Sequence, residues 1–165
     1  MKKGFSDIEA KIMSLPTAKQ TIGAWKKDGQ KVVFTNGCFD LLHLGHIHYL
    51  ADAAALGNRL VIGLNTDQSV RILKGENRPV NDENSRAAML AALEFTDAII
   101  LFPEDTPREM IATLLPDVLV KGGDYTVEQI AGAKEVLENG GAVEVLDFVP
   151  GYSSSSIIRK IQNEK

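Results

Sequence analysis

Phe34-Thr35-Asn36-Gly37-Cys38-Phe39-Asp40-Leu41-Leu42-His43-Leu44-Gly45-His46, positions 34 to 46, is the stretch on which the reading of this chain turns. It leaves an apolar run at 31–35, passes through a turn-forming Asn36-Gly37, and delivers two histidines, three apart, to an alanine- and leucine-rich segment at 46–56. Strand, loop and helix in that order make the helix entrance an anion site. The first amides of the helix have no intrahelical partner, the helix dipole is positive there, and imidazole N–H groups add donors aimed at the same phosphate. Gly45 between the histidines lets a ligand approach the backbone closely. Two other readings stand beside this one. His43 and His46 can simply finish a turn, or they can hold a metal; the second is weakened because Cys38 and Asp40 follow no zinc-ligand spacing and His48 adds one further candidate only.

Outward from this stretch, four more short apolar runs lie at 60–65, 98–102, 118–121 and 142–146, most preceded by turn residues such as Gly57-Asn58, Pro116-Asp117 and Asn139-Gly140-Gly141. Between them the spacing predicts helices at 46–56 and 85–95. Another should run from Thr106-Pro107-Arg108-Glu109, which has the order of a capping box, to about Leu115. Thr126 followed by Gln129 is a weaker box of the same kind. Strands alternating with helices predict an α/β, Rossmann-like, doubly wound fold: a mostly parallel five-stranded sheet with helices on both faces and its ligand beyond the strands' carboxyl ends. The chain is expected to form one domain over residues 1–165, with 1–18 as a peripheral segment packing on a neighbouring subunit.

Composition narrows the function classes. With 165 residues, 44% hydrophobic and 24% charged, the chain is an ordinary globular one. A net charge of −4, from 18 basic and 22 acidic residues, argues against bulk attraction to nucleic acid or an anionic membrane. An anionic ligand must therefore meet a local basic site. The single cysteine, Cys38, supports no internal disulfide, no apolar stretch approaches the ~20 residues of a membrane span, and the N-terminus has no signal core; a cytoplasmic protein is expected.

The residues Gly37, Phe39, Asp40, His43, Gly45 and His46 resemble the signature of the cytidylyltransferase-like nucleotidyltransferases, whose shared motif is His-x-Gly-His. The resemblance continues over roughly 31–162 through Asn65-Thr66-Asp67, Lys74, Arg78, Arg86, Lys121-Gly122-Gly123-Asp124-Tyr125 and Gly151-Tyr152-Ser153-Ser154-Ser155. The wording of the first and last two stretches is similar to the adenylyltransferases that make ADP-heptose from ATP and D-glycero-β-D-manno-heptose 1-phosphate. The glycerol-3-phosphate cytidylyltransferase branch differs: it has an arginine where Phe148 stands and Gly-Asp-Asp-Trp where Gly122-Gly123-Asp124-Tyr125 stands. Serine at 154 and 155, where the heptose family usually has one or two threonines, keeps the hydroxyl.

What the resemblance implies can be stated residue by residue. His43, His46 and Lys74 are the catalytic candidates, the histidines bonding the triphosphate and Lys74 arriving from a mobile loop at 71–81. Thr35, Asn36, Gly37, Cys38, Phe39 and Gly45 line the nucleotide pocket, Lys121, Gly122, Gly123 and Asp124 receive adenine and ribose, and Ser153, Ser154 and Ser155 bind phosphate oxygens or cap a last helix whose buried face is Ile157, Ile158 and Ile161. Arg78 and Arg86 grip the sugar phosphate, and Asp40 orients His46 or binds a sugar hydroxyl. ATP is a substrate, Mg²⁺ is held mainly by its phosphates, and no protein metal ligand is implied. Many relatives fuse this domain to a sugar kinase; at this length the chain resembles the stand-alone form, a homo-oligomer supplied with sugar 1-phosphate by a separate kinase. The rivals are a cytidylyltransferase acting on glycerol 3-phosphate or a similar ester and a non-catalytic nucleotide-binding module. A nicotinamide-binding domain is a third, and it would need a Gly-x-Gly-x-x-Gly turn that this chain lacks.

Overall fold

The computed structural model describes residues 4–163. Five strands, β1 (Val32–Gly37), β2 (Arg59–Asn65), β3 (Ala98–Phe102), β4 (Val118–Gly122) and β5 (Ala142–Leu146), form one sheet in the order β3-β2-β1-β4-β5. Every pairing is parallel. The chain winds outward from β1 to β2 and β3, then crosses back to β4 and β5, so the order reverses between β1 and β4. At that point the loops leaving the two strands diverge and open a crevice at their carboxyl ends.

The helices are α1 (Phe5–Glu9), α2 (Leu15–Lys27), α3 (Leu44–Ala54), α4 (Asp67–Lys74), α5 (Glu83–Ala91), α6 (Arg108–Leu114), α7 (Ala133–Glu138) and α8 (Ser154–Asn163), with a 3₁₀ turn at Val127–Gln129. Alternation along the strands sends side chains to two separate cores. Phe34, Val61, Ile100 and Leu119 pack with Ile22 of α2, Met110 and Ile111 of α6 and Val136 of α7. Val33, Ile62, Leu64 and Val120 pack with Tyr49 and Leu50 of α3 and Ala87 and Leu90 of α5. Burying both faces is what makes these strands read as unbroken apolar runs. No helix among the described residues is long and apolar enough to cross a membrane.

Several expectations are corrected. Residues 4–18 are less peripheral than expected: Ile8 and Ile12 lie against the second core of their own chain, Ala18 is fully buried, and Ile12 forms a bridge to Ile99 of β3. Residues 1–3 of that predicted segment lie outside the described residues. The Thr106 capping box does not form; α6 starts after Pro107 with no side-chain cap. The weaker box forms in one direction, Thr126 N–H donating to Gln129 Oε1 at 3.0 Å, while Gln129 N–H donates to the Thr126 carbonyl at 3.0 Å. Helix α4 takes up residues 71–74 of the loop expected at 71–81, and α8 has no buried residue, Ile161 being 64% exposed.

Candidate active site

The crevice is a cleft of about 790 Å³ bounded by the ends of β1 and β4, the start of α3, the end of α4, and the segment leading into α8. His43 is the N-cap of α3, its extended backbone leaving the side chain free to turn back over the first turn. There its Nδ1 accepts the His46 N–H at 3.4 Å, a weak bond that still selects the tautomer: with Nδ1 accepting, neutral His43 carries its proton on Nε2. The two imidazoles stack at 3.8 Å and 18°, Phe39 stands edge-on to His46 at 5.2 Å, and Tyr152 covers His43 at 6.3 Å and 22°. Gly45 makes this column possible, because a Cβ there would fall 3.1 Å from both His43 Nδ1 and Tyr152 Cβ.

The column is electrically neutral until a ligand arrives. Burial pushes His46 down to about 4, with the neighbouring His43 and Lys74 adding to the effect and the Leu41 carbonyl opposing it. Burial also lowers His43. His46 Nδ1 is buried without a hydrogen-bond partner among the described residues. A triphosphate would reverse this balance, since anionic oxygens favour the imidazolium and take up its donors.

Around the column the sequence-predicted residues divide. Lys74 lines the cleft, but as the last residue of α4 and not from a loop; its position follows from the helix ending at Gly75, whose φ is +98°. Asn36, Gly37, Cys38, Phe39, Lys121 and Gly122 line the cleft as well. Cys38 is an ordinary thiol raised by burial, an effect only partly offset by Lys74, Arg86 and Arg78. Thr35 does not reach the cleft: it is fully buried and bonded to the Tyr49 hydroxyl at 2.6 Å. Gly123 turns away to donate its N–H to Leu146 O, and Asp124 is exposed beyond the rim.

The three serines open α8 at the cleft wall. Ser153 Oγ accepts the Ser156 N–H at 3.0 Å and so caps the helix; Ser154 Oγ donates to Leu41 O at 2.8 Å; Ser155 Oγ accepts Arg78 Nη1 at 3.4 Å. The Ser154 bond ties the helix to the loop that carries the histidines, and the Ser155 bond ties it to Arg78.

Two expectations are corrected: Asp40 as the partner of His46, and Arg86 as a ligand contact. Asp40 lines the cleft but is 1% exposed, and its carboxylate bonds Arg78 and the 80–81 backbone, not His46. Its Oδ2 accepts Arg78 Nε at 2.6 Å, and its Oδ1 accepts the N–H groups of Val80 and Asn81 at 2.8 and 3.0 Å. Arg86 is fully buried and outside the cleft. Its guanidinium donates to Asn81 O, Cys38 O, Asn65 O and Asp67 Oδ1 at 2.7–3.0 Å. Both residues brace the loop at 78–81, and Arg86 does so from outside the cleft. Arg78, 14% exposed at its side chain, does line the cleft and keeps donors unused beside its bonds to Asp40 and Ser155. Tyr152, Phe148 and the Asp105-Thr106-Pro107 wall were not expected; an aromatic immediately before a serine run is the one signal that pointed to the first.

A profile of cytidylyltransferase-like proteins matches residues 34–161, the part of the chain that forms the sheet and this cleft. The chain belongs to the cytidylyltransferase-like family. It is a nucleotidyltransferase. It is 51% identical over 162 residues to the bifunctional protein HldE of Klebsiella pneumoniae, covering 98% of this chain and 34% of that protein. To the HldE of Citrifermentans bemidjiense it is 54% identical over 158 residues, covering 96% of this chain and 32% of that one. The chain thus spans about a third of the length of these curated relatives. Among solved structures, a lipopolysaccharide core biosynthesis protein from Thermoplasma volcanium is 32% identical with a TM-score of 0.58, covering 73% of this chain and 98% of that one. A pantoate–β-alanine ligase from Francisella tularensis, 14% identical with a TM-score of 0.58 over 92% of this chain and 76% of its own, shares the fold.

Proposed function

We propose that this nucleotidyltransferase transfers AMP from MgATP to D-glycero-β-D-manno-heptose 1-phosphate, giving ADP-heptose and pyrophosphate. The observation that carries the reading is the stacked His43–His46 pair at the α3 N-terminus, facing the same cleft as Lys74 and the serines of α8. Choice of ATP and heptose phosphate over CTP and glycerol phosphate is supported by the wording around Phe148 and Gly122-Gly123 and by the HldE relatives.

The acceptor phosphate oxygen attacks the α-phosphorus of ATP, the bond to the bridging oxygen breaks, and pyrophosphate departs with the electron pair. No protein nucleophile is needed; the protein positions two anions and offsets the charge that grows on the leaving group. His43 Nε2–H and His46 donate to the triphosphate from the helix N-terminus, and Lys74 approaches from the end of α4. Arg78, held by Asp40, offers its free N–H groups to the acceptor phosphate. Mg²⁺ enters with ATP as MgATP, held mainly by the phosphate oxygens. A sugar kinase must supply the sugar 1-phosphate.

Pyrophosphate release with ATP or CTP, crossed with heptose 1-phosphate or glycerol 3-phosphate, tests the reading. Release with ATP and heptose phosphate alone is expected; release with CTP and glycerol phosphate overturns the substrate assignment, and silence in every combination overturns both.

A further inference from the structure

Phe148 is 58% exposed, yet it lines the cleft. Its ring lies over the backbone at the end of β4: a Cβ on Gly122 would fall 2.5 Å from Cε1, and one on Gly123 3.1 Å from Cε2. Two successive glycines are what let an aromatic ring settle there. Tyr49 supports it from the core side, tilted at 5.8 Å and 49°. That support is stiff, because the Tyr49 hydroxyl is tied to Thr35 Oγ1 at 2.6 Å and reaches Val120 O at 3.4 Å. Beside the ring, Lys121 extends its Nζ over Tyr125 at 5.7 Å and toward Asn36 Oδ1 at 3.5 Å, with no ion pair among the described residues.

Water against a large aromatic face inside a concave site is costly, and a flat, weakly polar ligand group removes that cost. The placement says which group this is. Segment 148–152 runs from the Gly122 wall to Tyr152, whose ring covers His43. One end of the cleft therefore presents hydrogen-bond donors for phosphates, and the other an exposed aromatic ring next to the Lys121 amine. We infer that Phe148 is the platform on which the nucleobase stacks, and that it sets the preference for a purine over a pyrimidine. The inference rests on the nucleotidyl-transfer reading of the cleft. A purine has the greater area to lay on the ring, so it gains more from the platform than cytosine does.

The test uses binding alone, by titration calorimetry with ATP, CTP and inorganic tripolyphosphate and no acceptor present. Wild-type protein is compared with Phe148→Ala and Phe148→Trp, and circular dichroism checks that both fold, as substitution at an exposed ring permits. Phe148→Ala should weaken ATP roughly tenfold, the effect of removing one stacking partner, and should weaken CTP less, so that the ATP preference narrows. Tripolyphosphate binding should stay within about twofold, and Phe148→Trp should restore ATP binding. Equal losses for ATP and tripolyphosphate overturn the inference, as does unchanged or tighter ATP binding in Phe148→Ala, which would mark the ring as a plug. A wild-type protein that binds neither nucleotide overturns it too. Because no acceptor is used, failure of the heptose assignment appears separately, as nucleotide binding without turnover of the sugar phosphate.

Discussion

Replacing Arg86 by methionine should damage the fold first and the chemistry only through it. The guanidinium is fully buried and makes four hydrogen bonds, to three backbone carbonyls and to Asp67 Oδ1, none longer than 3.0 Å. Methionine fills much of the volume but leaves those acceptors without donors. Each buried unsatisfied group costs about 1–3 kcal/mol, and loss of one partner from a buried ion pair typically costs about 3–5 kcal/mol. Asp67 is 22% exposed at its side chain and can recover water, so the whole loss should be near the pair value, about 3–5 kcal/mol, and not the sum. Against a typical domain stability of about 5–15 kcal/mol this is severe. In urea, with a slope of about 2 kcal/mol/M, the midpoint should fall by roughly 2 M at unchanged slope. Arg86→Lys should recover only part of that, since one ammonium cannot reach four acceptors spread over the ends of β1 and β2, the start of α4 and the loop before α5. A loss below about 1 kcal/mol, accompanied by a raised KM for the sugar phosphate, would refute this account and return Arg86 to the ligand.

Three further outcomes are expected. His46 is unprotonated in the folded protein down to about pH 4, against an ordinary value of 6.5, so the unfolded chain binds more protons between these values and stability is lost as pH falls from 6.5 toward 4. The full difference is worth ~3 kcal/mol, reduced to about 1–2 kcal/mol by solvent reaching the half-buried ring; urea midpoints of wild type should fall over that window more steeply than those of His46→Asn, and parallel curves would disprove it. Asp40→Asn should loosen the loop at 78–81, seen as faster limited proteolysis within 75–81 and a raised KM for the acceptor with a stability loss of about 2–3 kcal/mol; proteolysis at the wild-type rate would contradict it. Tyr49→Phe removes the 2.6 Å bond to Thr35 and should cost about 1 kcal/mol in stability, measured by urea unfolding, whereas a loss above about 3 kcal/mol would mean that Thr35 cannot find another partner.

The strands were legible because parallel strands covered on both faces need apolar residues at every position; the runs at 98–102 and 142–146 coincide with β3 and β5, and the other three differ at their ends by one or two residues. The His-x-Gly-His stretch was legible as a helix entrance because caps are local, formed within four residues. What could not be read is the long-range polar wiring. Nothing in the window around Arg86 shows that Cys38 O, 48 residues earlier, will claim its Nη1, or that the Asp40 carboxylate will be consumed by backbone N–H groups 40 and 41 residues away. A cation in a polar helix looks like a ligand contact until its acceptors are counted. Lys74 was found by type and missed by setting: Gly75, Asn77 and Pro79 gave a loop composition to a segment that begins as helix. The exposed Ile161 shows the reverse error, an apolar spacing that reads as a buried face and has no partner among the described residues.

The bridge between Ile12 and Ile99 has its own consequence. Ile99 N–H donates to Lys11 O at 2.8 Å and Ile99 O accepts Met13 N–H at 3.0 Å, so one rung of the outer side of β3 is already taken by the chain's own N-terminal segment. An edge strand of sequence Ala98-Ile99-Ile100-Leu101-Phe102 with free amides is a template for cross-chain strand addition and hence for aggregation. Residues 11–13 act as a sacrificial strand fragment that blocks that template, and trimming the chain back to the start of α2 would unmask it.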